Sequence, residues 1–128
     1  MHIPANPGPP GNPVLLPGFA DPVRGAQQTF RAALQALAHP GRSHRIAAEC
    51  GVPAGLSPAM TALLLALVDG DTPLWLPAAT PPHIRHFLRF HCGCPFAESP
   101  GQARFVAAPA GMAAPALAHC HAGEPAYP

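Results

Sequence analysis

The chain has 128 residues, 48% of them apolar and 10% charged, with a formal net charge of +1. That length bounds it at one domain able to bury roughly two thirds of its unfolded surface, and the balanced charge excludes a general attraction to nucleic acid or anionic membrane. All seven basic residues are arginines, which excludes a Walker A lysine, a Schiff-base lysine for pyridoxal phosphate and any lysine nucleophile.

Residues 1–18 hold proline after proline with glycine and asparagine and read as a flexible or polyproline-like arm outside the core. They lack the basic start and apolar run of a signal peptide. "ADPVRGAQQTFRAALQALAHPG" then predicts a helix, with Asp21 as cap and Pro22 at the first helical position. Val23, Ala26, Phe30, Ala33, Leu34 and Leu37 form an apolar stripe expected to face the core. Arg24, Gln28, Arg31 and Gln35 take the opposite side, and His39, Pro40 and Gly41 stop the helix.

"RSHRIAAEC" is a weak strand candidate. "LSPAMTALLLALVDGDTP" predicts a second helix, capped by Ser57 with Pro58 in first position. Apolar nearly all round, it is expected to be buried. At about 20 residues a membrane span is longer than this run, and the expectation is a soluble, cytoplasmic protein with reduced thiols. "LWL" is a short strand with Leu74 and Leu76 on one face and Trp75 on the other. A third helix, "HIRHFLRFH", starts after Thr80, Pro81 and Pro82, and "ARFVA" is a second short strand. Helices alternating with strands argue for a layered α/β domain. The visible strands are few, and the loop-rich ending gives the chain the look of one truncated at its C-terminus.

Three constellations bear on chemistry. Cys92, Cys94, His119 and His121 offer four soft ligands to a zinc ion, the basis of a small metal- or thiol-binding module. One residue between the cysteines is short for paired zinc ligands, which favours cysteine as a small buried hydrophobe. In the third helix Ile84, Phe87 and Leu88 make an inward stripe that His91 continues. Arg85 and Arg89 sit one turn apart on the other side, with His83 or His86 beside them, as a solvated basic face or a fork for an acidic partner or phosphate-like anion. Asp69 and Asp71 in "DGDTP" are a pair of the kind that serves as metal ligands or as acid and base, but turn chemistry explains them well enough. No glycine-rich dinucleotide loop, nucleophile elbow or paired-histidine zinc motif is present in the sequence, so no catalytic residue is identified and no cofactor is expected.

"GFADPVRGAQQTFRAALQALAHPGR", "LLLALVDGDTPLWL" and "LRFHCGCPFAESPGQARF" stand in the order and spacing of the PhnH family, the H subunit of the bacterial carbon–phosphorus lyase, which the chain resembles over nearly all of residues 19–128. The resemblance implies a three-layer αβα sandwich similar to the large domain of pyridoxal-phosphate-dependent transferases, without the cofactor, of which residues 19–128 form the N-terminal part. It implies a homodimer of the full-length protein and assembly with G, I and J subunits into a complex that attaches phosphonate to the ribose of ATP with release of adenine. It implies an accessory role, with motif positions at Phe30, Arg31, Pro40, Gly41, Asp71, Trp75, Arg89 and His91 rather than catalytic ones. Arg31, Asp71, Arg85, Arg89 and His91 are the candidate motif or interface residues. Where this chain has Cys92 the family often has threonine, which argues further against a shared metal site.

Overall fold

Three proline-started helices and two short strands set the frame. The computed structural model describes residues 15–127. Helix α1 (Pro22–Ala38) begins where the Asp21 carboxylate accepts the Arg24 N–H at 3.1 Å, and α2 (Pro58–Leu67) where the Ser57 hydroxyl accepts the Met60 N–H at 3.1 Å. Each cap satisfies an orphan amide of the first turn, and Pro22 and Pro58 lack one to satisfy. Strand β1 (Leu74–Trp75) leads into α3 (Pro82–Cys92), and β2 (Phe105–Val106) lies parallel to β1, pairing Leu74 with Phe105 and Trp75 with Val106. A parallel pair needs a crossover connection, which α3 supplies. The described residues are thus mixed α/β, with three α-helices and one two-stranded parallel sheet.

The core gathers Leu64 and Val68 of the α2 end, Leu74 and Leu76 of the β1 region, and Ile84, Phe87 and Leu88 of α3. Leu74, Ile84 and Leu88 are fully buried, each contributing about 1.5–3 kcal/mol through apolar area removed from water. The alternation read from "LWL" holds, since Leu74 and Leu76 are buried while Trp75 is half-buried. The expectation for α2 holds mainly on one side, where Thr61, Ala62 and Leu64 are buried.

Three expectations change. The apolar stripe of α1 does not face the core: Val23, Phe30, Leu34 and Leu37 are exposed, by 70%, 51%, 49% and 79%. The buried side of α1 instead carries Gly25 and Thr29. Small residues let the helix backbone approach closely, and the Thr29 hydroxyl is satisfied inside the helix by the Gly25 carbonyl at 2.8 Å. The weak strand at 42–50 does not form. Only its end pairs, in an antiparallel bridge between Cys50 and Phe19, while Arg42, Ser43, His44 and Arg45 are exposed; without a neighbour to take the ladder bonds, extended backbone stays irregular. The arm expected over residues 1–18 lies outside the described residues as far as position 14. From Leu15 onward the chain is packed, with Leu15 and Leu16 against the core and the Gly51 N–H donating to the Pro17 carbonyl at 3.1 Å.

Candidate functional site

Helix α3 holds most of the candidate residues. Its inward face is the predicted one, Ile84, Phe87 and Leu88. It ends at Gly93, whose φ of 64° is left-handed and whose N–H donates to the Arg89 carbonyl. A glycine takes that conformation without strain, and it turns the chain so that Phe96 comes back alongside the helix. The Arg85 and Arg89 guanidiniums lie 5.4 Å and 5.2 Å from the centre of the Phe96 ring. Each such contact is worth about 0.5–1 kcal/mol at a partly exposed position, which outweighs the few tenths of a kcal/mol that two like charges one turn apart cost.

The two arginines differ in commitment. Arg85 donates to the Pro77 carbonyl at 2.9 Å and, at a longer 3.4 Å, to that of Leu76, so it ties α3 to the end of β1. Arg89 is exposed, with its fork steadied by the ring. A steadied guanidinium at the surface suits a carboxylate or phosphate-like group on a partner, because less side-chain freedom is lost on contact.

The remaining candidates fall elsewhere. His91 turns away from the arginines: its Nε2 lies 2.8 Å from the Leu16 carbonyl oxygen, and its ring packs beside Phe87 and Phe90 with centroids at 4.6 Å and 5.0 Å. Asp71 sits in a turn, its N–H donating to the Asp69 carboxylate at 2.9 Å, while the Asp69 N–H donates to the Thr72 hydroxyl at 2.7 Å. That is the turn reading of "DGDTP". Arg31 is exposed on α1. Of the five candidates, the structure brings Arg85 and Arg89 together and gives His91, Asp71 and Arg31 separate places. Phe96, which organises the pair, carries no periodic signal in the sequence because it lies beyond the helix end.

The cysteine and histidine set is corrected. The Cys92 thiol donates to the Leu64 carbonyl at 3.6 Å. Burial, then the neighbouring Cys94, then the Asp69 carboxylate push its pKa up to about 12. Cys94 is buried and raised as well, mainly by that burial, with a backbone hydrogen bond and the Arg89 charge drawing it partly back. Thiols held protonated are poor metal ligands and poor nucleophiles. His119 closes an exposed 3₁₀ turn, Leu117–His119, and the His121 Nδ1 accepts the Gly123 N–H at 2.9 Å. Among the described residues no group of three or more His, Cys, Asp or Glu is placed to hold a metal ion, so the metal- or thiol-binding module has no support. No helix among the described residues is long and apolar enough to cross a membrane.

Comparison with known proteins bears on the same chain. Residues 17–128 match the family described as bacterial phosphonate metabolism protein (PhnH). Over 111 residues the chain is 35% identical to "Alpha-D-ribose 1-methylphosphonate 5-triphosphate synthase subunit PhnH" of Rhizobium meliloti (strain 1021), an alignment covering 86% of this chain and 56% of that protein. The chain therefore spans about half the length of the curated relative it matches.

Proposed function

The chain belongs to the PhnH family of bacterial phosphonate metabolism proteins, and on that footing we propose that it acts as an accessory subunit, without a catalytic centre of its own, in the carbon–phosphorus lyase machinery. In this reading it assembles with the G, I and J subunits in the cytoplasm, pairs with a second copy, and supports attachment of phosphonate to the ribose of ATP with loss of adenine. The β1–α3–β2 unit is then one part of a three-layer αβα sandwich, and residues 19–128 belong to a single domain. Arg31, Asp71, Arg85, Arg89 and His91 serve as structural and contact positions.

The observation that carries this reading is the 35% identity, over 86% of the chain, to a protein whose name identifies it as a synthase subunit. The side-chain chemistry agrees with it. The most organised polar feature, the exposed Arg89 steadied on Phe96 beside an Arg85 tied to backbone carbonyls, offers a fork of donors to an anion rather than a group that moves a proton. The test is co-expression of the tagged chain with the G, I and J subunits of the same source. Co-elution of the four through affinity and size-exclusion steps is expected; a chain that elutes alone in every combination overturns the reading.

A further inference from the structure

The α3 arginines carry more positive charge than their surroundings answer. Arg85 and Arg89 leave the helix one turn apart, about 5–6 Å between Cβ atoms, and their guanidiniums stand 5.4 Å and 5.2 Å from the centre of one ring, Phe96. From Thr72 to Ala97 the sequence has no carboxylate, and among the described residues neither arginine is ion-paired to one. The polar partners of Arg85 are the Pro77 and Leu76 carbonyls, dipoles that hold its position and leave its charge in place. The field of Arg89 is felt inside the fold. Burial raises the Cys94 thiol, and the Arg89 charge, after a backbone hydrogen bond, draws it partly back.

Two uncompensated cations at one ring select the ligand. A carboxylate has one charge and two oxygens, and a single fork satisfies it. A phosphate-type group has nearly two charges at neutral pH and three terminal oxygens, which matches one free fork with a second positive charge behind it. The free fork is Arg89, exposed and held against the ring, whereas Arg85 is half-buried and tied down. We propose that Arg89 binds the phosphate-type group of a small molecule, with Phe96 as the positioning residue and Arg85 supplying the second charge. Holding the guanidinium in advance reduces the side-chain freedom lost on binding, and its planar donors meet two oxygens at once. This deepens the subunit reading above and rests on it for where such a ligand comes from; the site itself is tested on the chain alone.

The first experiment is an NMR titration of the chain with sodium phosphate and, separately, with sodium acetate, sodium chloride holding the ionic strength constant. Saturable shifts at Arg85, Arg89 and Phe96 are expected, with phosphate binding roughly tenfold or more tightly than acetate. Arg89→Ala abolishes the phosphate shifts, and an unchanged amide spectrum away from α3 verifies that the variant is folded. Arg89→Lys keeps the charge and loses the planar fork, so it binds severalfold more weakly than the wild type. Phe96→Leu weakens binding in the same way, and Phe96→Tyr, which keeps the ring, restores it. A ring that merely supports the fold would move stability and leave the preference for phosphate over acetate unchanged. Shifts that spread over the surface without saturating, equal affinity for acetate, or wild-type affinity in Arg89→Lys overturns the site. The second experiment repeats the G, I and J co-purification with Arg89→Ala. Should the wild-type four co-elute while the chain alone binds no phosphate, the site falls and the subunit reading stands; phosphate binding by a chain that elutes alone gives the reverse. Loss of co-elution in Arg89→Ala, with no phosphate bound by the wild type, assigns the fork to a carboxylate of a partner and also overturns the proposal.

Discussion

The Nε2 of His91 lies 2.8 Å from the carbonyl oxygen of Leu16, a contact across 75 residues of sequence. A carbonyl only accepts, so the imidazole donates from Nε2 and its Nδ1 is left facing Gly18, where an added Cβ would come within 3.1 Å. One side chain at the end of α3 thus holds the segment that leads into α1.

Replacing His91 with phenylalanine keeps a ring beside Phe87 and removes the donor. We expect a loss of about 1 kcal/mol in urea denaturation, the net value of one hydrogen bond, and faster proteolysis before α1. Wild-type cleavage rates in this variant would show that Leu16 is held by packing alone.

A methyl group on Gly25 would meet the Phe19 ring, with its Cβ 2.7 Å from Cδ1. Glycine to alanine inside a helix gains about 1 kcal/mol of propensity, whereas overpacking a tight contact costs about 1–3 kcal/mol. Gly25→Ala is therefore expected to destabilise the fold, by about 1 kcal/mol net. A raised melting temperature would mean that Phe19 yields freely.

Cys92 links stability to alkaline pH. In the unfolded chain its thiol ionises near 9.0, in the folded protein near 12. Between those values the unfolded state sheds a proton that the folded state keeps, so stability falls as pH rises through the window. The urea midpoint should drop between about pH 8 and about pH 10.5, and less so in Cys92→Ala. Identical pH dependence in the two proteins removes Cys92 as a source. Iodoacetamide at neutral pH should label Cys92 only after unfolding, since the thiolate is the reactive form.

The Arg89–Phe96 contact is open to a double-mutant cycle. Arg89→Ala, Phe96→Leu and their combination should give a coupling of about 0.5–1 kcal/mol, measured by chemical denaturation. Strict additivity would reduce the 5.2 Å approach to proximity without attraction.

What the sequence disclosed divides along the range of the interactions. The caps of α1 and α2 were legible because Asp21 and Ser57 act on amides three residues away. The inward face of α3 was legible because Ile84, Phe87 and Leu88 repeat at helical spacing and meet the core. The same periodicity misdirects on α1, since it reports that a face is apolar and is silent on what that face meets; close backbone approach at Gly25 decided the buried side instead. The His91 partner and the role of Phe96 were hidden for a related reason. One depends on a residue 75 positions away, the other on the left-handed turn at Gly93. Residues 42–50 offered only Ile46 as a strand-forming side chain, and a strand exists only with a neighbour, which Cys50 alone pairs with.

Strand β1 is short, yet it is clasped from both edges. The Leu74 N–H donates to Pro95 and the Leu74 carbonyl accepts from Ala97, while on the other edge the Trp75 carbonyl accepts from Ala107 and that of Pro73 from Arg104. A fully buried amide enclosed in this way cannot reach deuterium by fraying; exchange requires the surrounding structure to open as a unit. The Leu74 amide is accordingly a reporter of global unfolding, and its protection in heavy water should track the free energy obtained from denaturation, variant by variant.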